Sequence, residues 1–336
     1  MKFNRETEFP AHQKVKLHVT PQNLQGKTLV ITGGNSGLGL ASAKMLAKMN
    51  PSKLILACRN METAAEAVDA IKADGFNDVE AWHLDQSSYT NVKDFAKRYN
   101  ESGLDLHVLL ANAGQLPRRP VEKPVLTDDG NEDILATNHL GAALLALELL
   151  PSLRRTAARA SDDQLPRVVI VASDVHYWAE LSAAKEEGNI IRAMNTEKIW
   201  TNVLDRYFDT KLLNVFFARE LANKLSQSQI PEDKKIVVSS CNPGLCMSPE
   251  DAANPNHPIP LPLRAIARDY PEGCKTHVFA SIDPSASKAG QFEFYSNCAP
   301  LETADITLGK EGDALRERVW KDTLEVLGVT EAEFQI

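Results

Sequence analysis

The sequence predicts an α/β protein with a doubly wound, mostly parallel sheet of seven strands and helices on both faces. Apolar runs of strand length recur along the chain, and the segments between them carry Ala, Leu and Met at three- and four-residue steps, which is typical of helices. The first six runs are dense in Val, Ile and Leu without alternation, as expected of parallel strands covered on both faces. The seven runs are KTLVIT from Lys27, KLILAC from Lys53, VEAWHL from Val79, HVLLA from His107, RVVIVA from Arg167, KIVVSS from Lys235 and QFEFY from Gln291.

Four regions do not fit this alternation, and they frame a single domain. The predicted strands and helices span residues 27–296, so residues 1–26 form an N-terminal extension and residues 297–336 a C-terminal extension. Residues 175–205 and 246–270 are insertions within the domain. We expect the second insertion to be an irregular loop over the carboxyl edge of the sheet, because each proline removes a backbone donor and fixes φ. Its prolines are Pro249, Pro255, Pro258, Pro260 and Pro262.

The charge balance favours a small-molecule partner. The chain has 336 residues, with 37 Lys and Arg against 45 Asp and Glu, for a formal net charge of −8. Nonspecific binding to nucleic acid or to an anionic membrane requires a positively charged surface. The negative net charge therefore argues against both partners. No stretch approaches the roughly 18 apolar residues of a membrane span, and the N-terminus lacks the apolar core of a signal peptide. We therefore expect no membrane insertion and a cytoplasmic location.

Neither the cysteines nor the histidines predict a metal site. The five cysteines form no CxxC pair and no cluster with zinc-ligand spacing, so we interpret them as reduced and mostly buried thiols. No three histidines share close spacing, and His176, near Ser173, is the one best placed to touch a substrate. The cysteines are Cys58, Cys241, Cys246, Cys274 and Cys298, and the other histidines considered are His139 and His257.

The first predicted strand leads directly into a glycine-rich turn that is followed by a helix. The turn reads Thr32-Gly33-Gly34-Asn35-Ser36-Gly37-Leu38-Gly39. In this context Gly33 permits the tight turn, Gly37 lets backbone N–H groups approach a pyrophosphate, and Gly39 lets the helix pack closely on the strand. The helix N-terminus favours negative phosphates. The spacing G-x-x-x-G-x-G is not the commoner G-x-G-x-x-G, so taken alone it fits a dinucleotide site and a structural turn equally well.

The residues after the second and third strands indicate which dinucleotide would bind. An NAD-binding protein places a carboxylate for the ribose 2′-OH after the second strand, whereas this chain has Arg59 and Asn60. The planar guanidinium of Arg59 can pair with a 2′-phosphate, which favours NADP(H); the alternative is a solvated surface arginine. Asp85 and Gln86 follow the third strand and are candidates for the adenine end, although Asp85 also suits a turn cap.

A tyrosine and a lysine four residues apart form the candidate acid/base pair. Tyr207 and Lys211 would share one helix face, and an ammonium near a phenol favours the phenolate, so Tyr207 could exchange a proton with a substrate oxygen. Ser173 ends the fifth strand at the carboxyl edge, where its hydroxyl could hold that oxygen. Asn138, in the helical segment after the fourth strand, could anchor a water that joins Lys211 to solvent. Taken singly, Ser173 also suits a strand-end cap and Asn138 a helix kink.

Together these motifs resemble those of a classical short-chain dehydrogenase/reductase, over nearly the whole chain. Within that family the chain is similar to the retinol-dehydrogenase-like and WW-domain-oxidoreductase-like branch, through Ala57-Cys58-Arg59-Asn60, the long insertion before Tyr207, and Phe294-Tyr295-Ser296-Asn297-Cys298. It also resembles tailoring reductases of fungal secondary metabolism. The motifs that carry the resemblance are Thr32 to Gly39, Asn112-Ala113-Gly114, Asn138, Ser173, Tyr207 with Lys211, and Pro243-Gly244.

The resemblance implies a catalytic tetrad, pro-S hydride transfer with NADP(H), a Rossmann-type domain, and a homodimer or homotetramer. The tetrad would be Ser173, Tyr207, Lys211 and Asn138. The resemblance further implies that Asn112, Ala113 and Gly114 line the adenosine and that Pro243, Gly244 and Ser248 approach the nicotinamide.

Two positions depart from the family pattern. The usual paired serines at the strand end are Ala172 and Ser173 here, and the usual threonine near the nicotinamide amide is Ser248, which keeps the hydroxyl. The separation of Ser173 and Tyr207 is also long, and the intervening apolar residues are expected to shape the substrate pocket or else to close a lid or a subunit contact. These residues are Trp178, Ile190, Ile191, Met194, Ile199, Trp200 and Val203.

An apolar lining at the catalytic edge suits a bulky, poorly soluble ketone, such as a polyketide, terpenoid, steroid or retinoid. The sequence therefore predicts an NADP(H)-dependent reductase of a natural-product ketone. Two other functions stay open: an NADP(H)-binding scaffold or sensor without turnover, and a non-redox isomerase or cyclase on the same fold. Loss of Tyr207 or Lys211 would favour the scaffold, and both residues are present.

Overall fold

The computed structural model describes residues 3–116, 121–161, 164–254, 259–286 and 288–336, which fold around one sheet of eight strands. The strand order is β3-β2-β1-β4-β5-β6-β7-β8, and every neighbouring pair is parallel except β7 and β8. This confirms the predicted doubly wound, mostly parallel sheet with helices on both faces. The strands are β1 Thr28–Thr32, β2 Lys53–Cys58, β3 Val79–His83, β4 Val108–Ala111, β5 Arg167–Val171, β6 Val237–Asn242, β7 Glu293–Ser296 and β8 Ala299–Pro300.

The helices connect the strands and extend the domain at both ends. The α-helices are α1 Glu8–Gln13, α2 Gly37–Ala47, α3 Met61–Ala73, α4 Tyr89–Glu101, α5 Asp133–Leu135, α6 Gly141–Glu148, α7 Leu150–Arg159, α8 Ile190–Met194, α9 Val203–Gln227, α10 Pro249–Ala253, α11 Leu261–Arg264, α12 Tyr270–Ile282, α13 Gly309–Leu327 and α14 Glu331–Phe334. A π-helical turn, Ala136–Leu140, joins α5 to α6. Short 3₁₀ turns lie at Asp174–Trp178, Ser182–Lys185, Pro231–Lys235, Pro284–Ala286 and Asp305–Thr307.

The sheet separates two hydrophobic cores. Residues of one face, such as Val30 and Ile170, pack against α4, α6, α9 and α13, while Leu29 and Ile31 on the other face pack against α2, α3 and α12. Strands β1, β4, β5 and β6 are buried along their whole length, which explains their continuous Val, Ile and Leu content. Among the described residues no single helix is long and apolar enough to cross a membrane; the pair Asp133–Glu148 and Leu150–Arg159, bent by 48°, reaches that length and composition together.

The eighth strand was not predicted from the sequence. It pairs antiparallel with β7 through a two-residue turn, in which Asn297 and Cys298 have φ values of 55° and 57°. Such turns usually carry Asn-Gly, because glycine tolerates a positive φ, so Asn-Cys gives little warning of a hairpin.

The prediction of an irregular loop at 246–270 was wrong for the part that the structure describes. Ser248 is the N-cap of α10, and Pro249 occupies its first turn; α11 likewise begins with a proline in its first turn. The first turn of a helix has N–H groups without intrahelical partners, so a proline is tolerated there and can start a helix. Pro255, Pro258 and His257 lie outside the described residues.

The insertion at 175–205 divides between the core and the cleft above the sheet. Ile190, Ile191 and Met194 are fully buried in the core beneath α13, which corrects the expectation that they line the substrate pocket. Trp200 is half-buried, and its indole nitrogen donates to the Val121 carbonyl oxygen at 3.2 Å. The residues of the predicted pocket set that do line the cleft are Trp178, Ile199 and Val203.

Candidate active site

A cavity with a volume of about 1620 Å³ lies at the carboxyl ends of the parallel strands. Strand order reverses between β1 and β4, and this is where doubly wound sheets open a ligand crevice. The cavity runs from the glycine-rich turn after β1, past the end of β5, to the insertion before α9.

The glycine-rich turn has the conformation that a phosphate cradle requires. Gly33 and Gly37 have φ values of 66° and 52°, which a side chain would strain. A Cβ atom on Gly39 would lie 2.1 Å from the Gly33 carbonyl oxygen, so α2 can approach the turn only with glycine there. Asn35, Ser36 and Leu38 line the cavity beside them. The N-terminus of α2 therefore faces the cavity with free backbone donors.

The residues that follow β4 are hydrogen-bonded to the end of β1. The Asn112 side-chain nitrogen donates to the Thr32 carbonyl oxygen at 2.9 Å, and the Ala113 N–H donates to the Thr32 hydroxyl at 2.8 Å. Gly114 follows, where a Cβ atom would lie 3.2 Å from Asn138 Oδ1 and 3.5 Å from Lys211 Nζ. Asn112, Ala113 and Gly114 thus form the wall between the glycine-rich turn and the lysine.

The residues expected at the adenine end all line the cavity, but their side chains differ in availability. Arg59 is exposed and makes no ion pair with another described residue. The Asn60 side-chain oxygen Oδ1 caps α3 by accepting from the N–H groups of Glu62 and Thr63. The Asp85 carboxylate accepts from the N–H and the hydroxyl of Ser87, which is the turn-cap role.

Gln86 is buried beside this end of the cavity. Its side-chain nitrogen donates to the Thr137 carbonyl oxygen at 3.0 Å, while its side-chain oxygen Oε1 is buried and has no hydrogen-bond partner among the described residues. A buried acceptor without a partner is uncommon in proteins.

Tyr207 and Lys211 share the face of α9 that borders the cavity, and the Lys211 Nζ atom lies 5.4 Å from the centre of the Tyr207 ring. Burial raises the pKa of Tyr207 to about 12, since it penalises the phenolate, and a hydrogen bond with the Ser173 side chain lowers this pKa in part. Burial lowers the pKa of Lys211 to about 8. The Lys211 ammonium donates to the Val171 carbonyl oxygen at 3.1 Å, which fixes it under the strand end.

Ser173 is placed by the end of β5. It caps the 3₁₀ turn that follows, accepting from the Val175 N–H at 3.4 Å, and it lines the cavity beside Tyr207. The sequence-predicted serine, tyrosine and lysine are therefore brought together in one cleft with the glycine-rich turn.

Asn138 is brought close to this group, but its amide is not free. The amide nitrogen donates to the Gln115 carbonyl oxygen at 2.9 Å, and the amide oxygen accepts from the Gln115 N–H at 2.7 Å. This amide therefore holds the chain next to Gly114, and its binding of a water stays a prediction. The kink that the sequence allowed is present as the π-helical turn, a feature often found at functional sites.

The loop after β6 carries Pro243 and Gly244 into the cavity wall, whereas Ser248 is placed differently from the expectation. The Ser248 hydroxyl accepts from the Asp251 N–H at 3.0 Å as the cap of α10. That local bond is typical of a serine before a helix, and it commits the hydroxyl that was expected to face the nicotinamide.

Two of the three candidate histidines, His176 and His139, have structural roles in the described structure. His176 is fully buried, contrary to the expectation that it could touch a substrate: Nδ1 bonds the Ser173 carbonyl oxygen at 2.7 Å, and Nε2 accepts from the Ala304 N–H at 3.2 Å. His139 is buried between Asn214 and Thr323. Burial lowers the pKa of both imidazoles to about 4, so both are neutral at neutral pH.

Sequence reasoning missed two contributions to the site. Arg5 and Phe9, from the N-terminal extension, line the cavity, although nothing in their local pattern ties them to it. Asp174, directly after Ser173, is almost fully buried in the wall; burial raises the pKa of its carboxyl to about 6, and neither oxygen has a hydrogen bond of ordinary geometry with a described residue. Its position next to the strand-end serine was the available signal.

Comparison with known proteins gives the class of this molecule. Residues 27–176 match the short chain dehydrogenase family. The chain is 31% identical over 313 residues to the short chain dehydrogenase/reductase dmxR8 of Cryptosporiopsis sp. (strain 8999), which covers 91% of each chain. It is 29% identical over 316 residues to human dehydrogenase/reductase SDR family member 13, covering 93% of this chain and 76% of that one.

The solved structures agree on the fold. The L-sorbose reductase from Gluconobacter frateurii, complexed with NADPH and L-sorbose, superposes with a TM-score of 0.59 at 20% identity, covering 83% of this chain and 98% of that one. The fold and these relationships define an oxidoreductase that binds a nicotinamide cofactor. The chain belongs to the short-chain dehydrogenase/reductase family.

Proposed function

We propose that this protein is an NADP(H)-dependent reductase that converts a ketone of a bulky, apolar natural product into a secondary alcohol. The observation that carries the proposal is the meeting of Tyr207, Lys211 and Ser173 with the glycine-rich turn in one cavity. Each of these motifs also has a structural explanation when taken alone. Their convergence at the crevice of the sheet supports a chemical one.

The residues of the cavity fit a phosphorylated dinucleotide. The turn has positive φ values at Gly33 and Gly37 and no space for a Cβ atom at Gly39, and it presents backbone donors at a helix N-terminus, which suits a pyrophosphate. Arg59, unpaired and at the cavity edge after β2, would hold a 2′-phosphate. No carboxylate follows β2 directly to accept from a free ribose hydroxyl, since Asn60 follows Arg59. These features support NADP(H) over NAD.

When bound, the dinucleotide supplies the hydride. The protein supplies the proton and the place for the oxygen: the Ser173 hydroxyl would hold the ketone oxygen, and the Tyr207 hydroxyl would donate its proton to that oxygen as it becomes an alcohol. Because burial raises the pKa of Tyr207 to about 12, this group carries its proton at neutral pH and is ready to act as an acid. This protonation state supports reduction as the working direction.

The lining of the cavity on the insertion side supports a bulky substrate. This wall carries Trp178, Ile199 and Phe208, which offer an apolar surface beside the tyrosine. The resemblance to tailoring reductases and the relationship to the Cryptosporiopsis protein support a natural-product ketone.

The test is NADPH oxidation by the purified protein with a panel of bulky aromatic and alicyclic ketones, with NADH in parallel and Tyr207→Phe as the control. We expect turnover with NADPH that Tyr207→Phe lowers by at least about a hundredfold, since general acid catalysis contributes about 10²–10⁴. The affinity of Tyr207→Phe for NADPH should stay within about twofold of wild type, because the phenyl ring keeps the packing.

Tight NADPH binding without turnover of any ketone would instead favour the scaffold or the non-redox enzyme. Turnover that survives in Tyr207→Phe would show that another group donates the proton.

A further inference from the structure

We propose that Arg5 is a specificity-determining residue, which binds a carboxylate on the substrate at the insertion side of the cavity. The inference rests on the proposed function and names a chemical property of its substrate: a large apolar skeleton that carries an anionic group as well as the ketone. It follows from three features of the N-terminal extension, which are its anchoring, the environment of the Arg5 guanidinium, and the other charges of the cavity.

The extension is fixed against the substrate wall. Phe3 is buried and stacks on Tyr177 with 4.7 Å between ring centres, and the Trp178 indole nitrogen donates to the Phe3 carbonyl oxygen at 3.2 Å. Phe9 packs edge-on against Trp178 at 5.5 Å. Contacts on both sides of Arg5 therefore hold it at a defined place above the cavity.

Its guanidinium lies on an aromatic platform. The Arg5 Cζ atom is 4.5 Å from the centre of the Trp178 ring and 5.5 Å from that of Phe208, the neighbour of Tyr207 in sequence. An arginine stacked on aromatic rings is oriented by them while the N–H groups at its edge stay available, and that edge matches a carboxylate with two parallel hydrogen bonds.

Among the cations that line the cavity, Arg5 is the one that has neither a polar partner nor a proposed role in the reaction or in binding the dinucleotide. Three cationic residues line the cavity in the described part of the chain. Lys211 is bonded to the Val171 carbonyl oxygen beside Tyr207, and Arg59 stands at the dinucleotide end. The Arg5 side chain makes no ion pair and no hydrogen bond with a described residue.

The acidic residues on the same side define where an anion can sit. Glu180, Asp205 and Asp209 line this wall. The Asp209 carboxylate accepts from the Leu181 N–H at 2.9 Å, and the Asp205 carboxylate accepts from the Asn202 amide at 2.7 Å. None of the three makes an ion pair with Arg5, and all three repel an anion placed elsewhere on this wall. A carboxylate is therefore favoured beside Arg5 and disfavoured around it, which combines attraction with exclusion.

The experiment compares two ligands of one shape. Binding of 2-naphthoate and of its uncharged analogue 2-naphthamide to the NADP⁺-loaded enzyme is measured by isothermal titration calorimetry at low salt. We expect the wild type to bind the carboxylate about tenfold more tightly, which corresponds to about 1.4 kcal/mol, because hydrogen bonds to charged groups are stronger than those between neutral groups. Arg5→Gln should bind both ligands with similar affinity, and Arg5→Lys should keep part of the preference.

Arg98 offers a matched control, since its guanidinium lies 3.9 Å from the Trp82 ring centre, outside the cavity. Arg98→Gln should leave the ratio of the two affinities unchanged. Equal binding of both ligands by the wild type, no binding of the carboxylate at millimolar concentration, or a preference that survives in Arg5→Gln would each overturn the proposal. Because these experiments measure binding, they test the role of Arg5 independently of ketone turnover, which tests the proposed function.

Discussion

Burial shifts the pKa values of Tyr207 and Lys211 in opposite directions, to about 12 and about 8. In both residues the neutral form is favoured, because a charge loses its hydration inside the protein. The tyrosine therefore keeps its proton through the neutral range, whereas the lysine loses its charge at only moderately alkaline pH. A proton donor needs its partner cation when the phenolate forms, so the lysine sets the alkaline limit of the proposed reduction.

The first prediction concerns this limit. The rate of ketone reduction should be highest while Lys211 is charged and should fall as the pH rises through about 8. Lys211→Met should be at least about a hundredfold slower at neutral pH and should lack that alkaline limb, because nothing remains to titrate there. The measurement is kcat against pH for both proteins at saturating NADPH. A wild-type profile that stays flat well beyond pH 8, or a limb that persists in Lys211→Met, would contradict the assigned role.

The second prediction concerns Arg59. Replacing Arg59 by Asp removes the cation and adds a carboxylate suited to a ribose 2′-OH, so the preference for NADPH over NADH should fall by about tenfold or more. Arg59→Lys is the matched control and should keep most of the preference, since the positive charge remains. The ratio of kcat/KM for the two cofactors reports the change. An unchanged ratio in Arg59→Asp would place the 2′-phosphate elsewhere.

At the residue scale, the sequence predicted best those side chains whose roles depend on short spacing. The four-residue step between Tyr207 and Lys211 and the position of Arg59 after a strand are visible in the chain itself. The role of His176 depends on Ala304, which is 128 positions away. The Asn138 amide depends on the Gln115 backbone in the same way. Partners that the fold brings together from distant positions leave no local pattern to read.

At the scale of elements, helix α1 holds the loop after β6 through one buried side chain. The Gln13 amide nitrogen donates to the carbonyl oxygens of Leu245 and Ile266, at 2.9 and 3.3 Å, and its amide oxygen accepts from the Leu245 N–H at 3.0 Å. A Cβ atom on Gly244 would lie 2.3 Å from that amide oxygen. The loop that was expected to approach the nicotinamide is therefore positioned by the N-terminal extension.

The third prediction follows from this contact. Gln13→Ala should raise the KM for NADPH by about fivefold to tenfold, because the loop loses hydrogen bonds to a buried amide, each worth about 0.5–1.5 kcal/mol. The value of kcat should change less, since Gln13 lies outside the reacting groups. Gln25→Ala, at an exposed position of the same extension, is the control. A lower melting temperature with an unchanged KM for NADPH would show that Gln13 only stabilises the fold.

Some elements follow from local rules, whereas others depend on partners that are distant in the chain. Strands β1, β2, β4, β5 and β6 are predictable because burial on both faces leaves continuous apolar runs, while β3 alternates between buried and exposed residues. Helix α10 also follows from a local rule, since Ser248 followed by Pro249 is a helix start, although the other prolines of this segment favour an irregular loop. Strand β8 is two residues long, and its existence depends on pairing with β7.

At the scale of the whole molecule, a buried ion pair joins the insertion to the core. Arg206 on α9 and Glu132 before α5 lie 3.3 Å apart, with side chains 3% and 2% exposed. Arg206 also donates to the Met194 carbonyl oxygen, and the Glu132 carboxylate caps α5 through the N–H groups of Ile134 and Leu135. The insertion, helix α9 and the start of α5 therefore meet at one pair of charges.

The fourth prediction concerns the stability that this pair provides. Arg206→Met should lower the free energy of unfolding by about 3–5 kcal/mol, because it leaves the Glu132 carboxylate buried without its cation. The double variant with Glu132→Gln should recover part of the loss, since the remaining amide is neutral. Urea unfolding of the two variants and the wild type gives these differences. A double variant that is less stable than Arg206→Met would show that the capping of α5 outweighs the charge.

The fold class could be read from the sequence, whereas the completion of the core could not. Helix α13 packs on α9, and Trp320 stacks on Phe217 with 5.3 Å between ring centres. Val319 and Trp320 belong to the same hydrophobic core as the central strands. An apolar face on a terminal helix indicates that something covers it, but only the three-dimensional arrangement shows that the partner is the helix carrying Tyr207.

The bond from the Ala304 N–H to His176 bears on how the protein is made. A ribosome releases the glycine-rich turn first, the Tyr–Lys helix later, and the segment around Ala304 after both. His176 holds the backbone of Ser173, so the support behind this serine is completed only when the Ala304 segment has emerged. A nascent chain that stops before Ala304 could form most of the sheet while its cleft stays unfinished. The cleft would thus be completed after the strands around it have already been made.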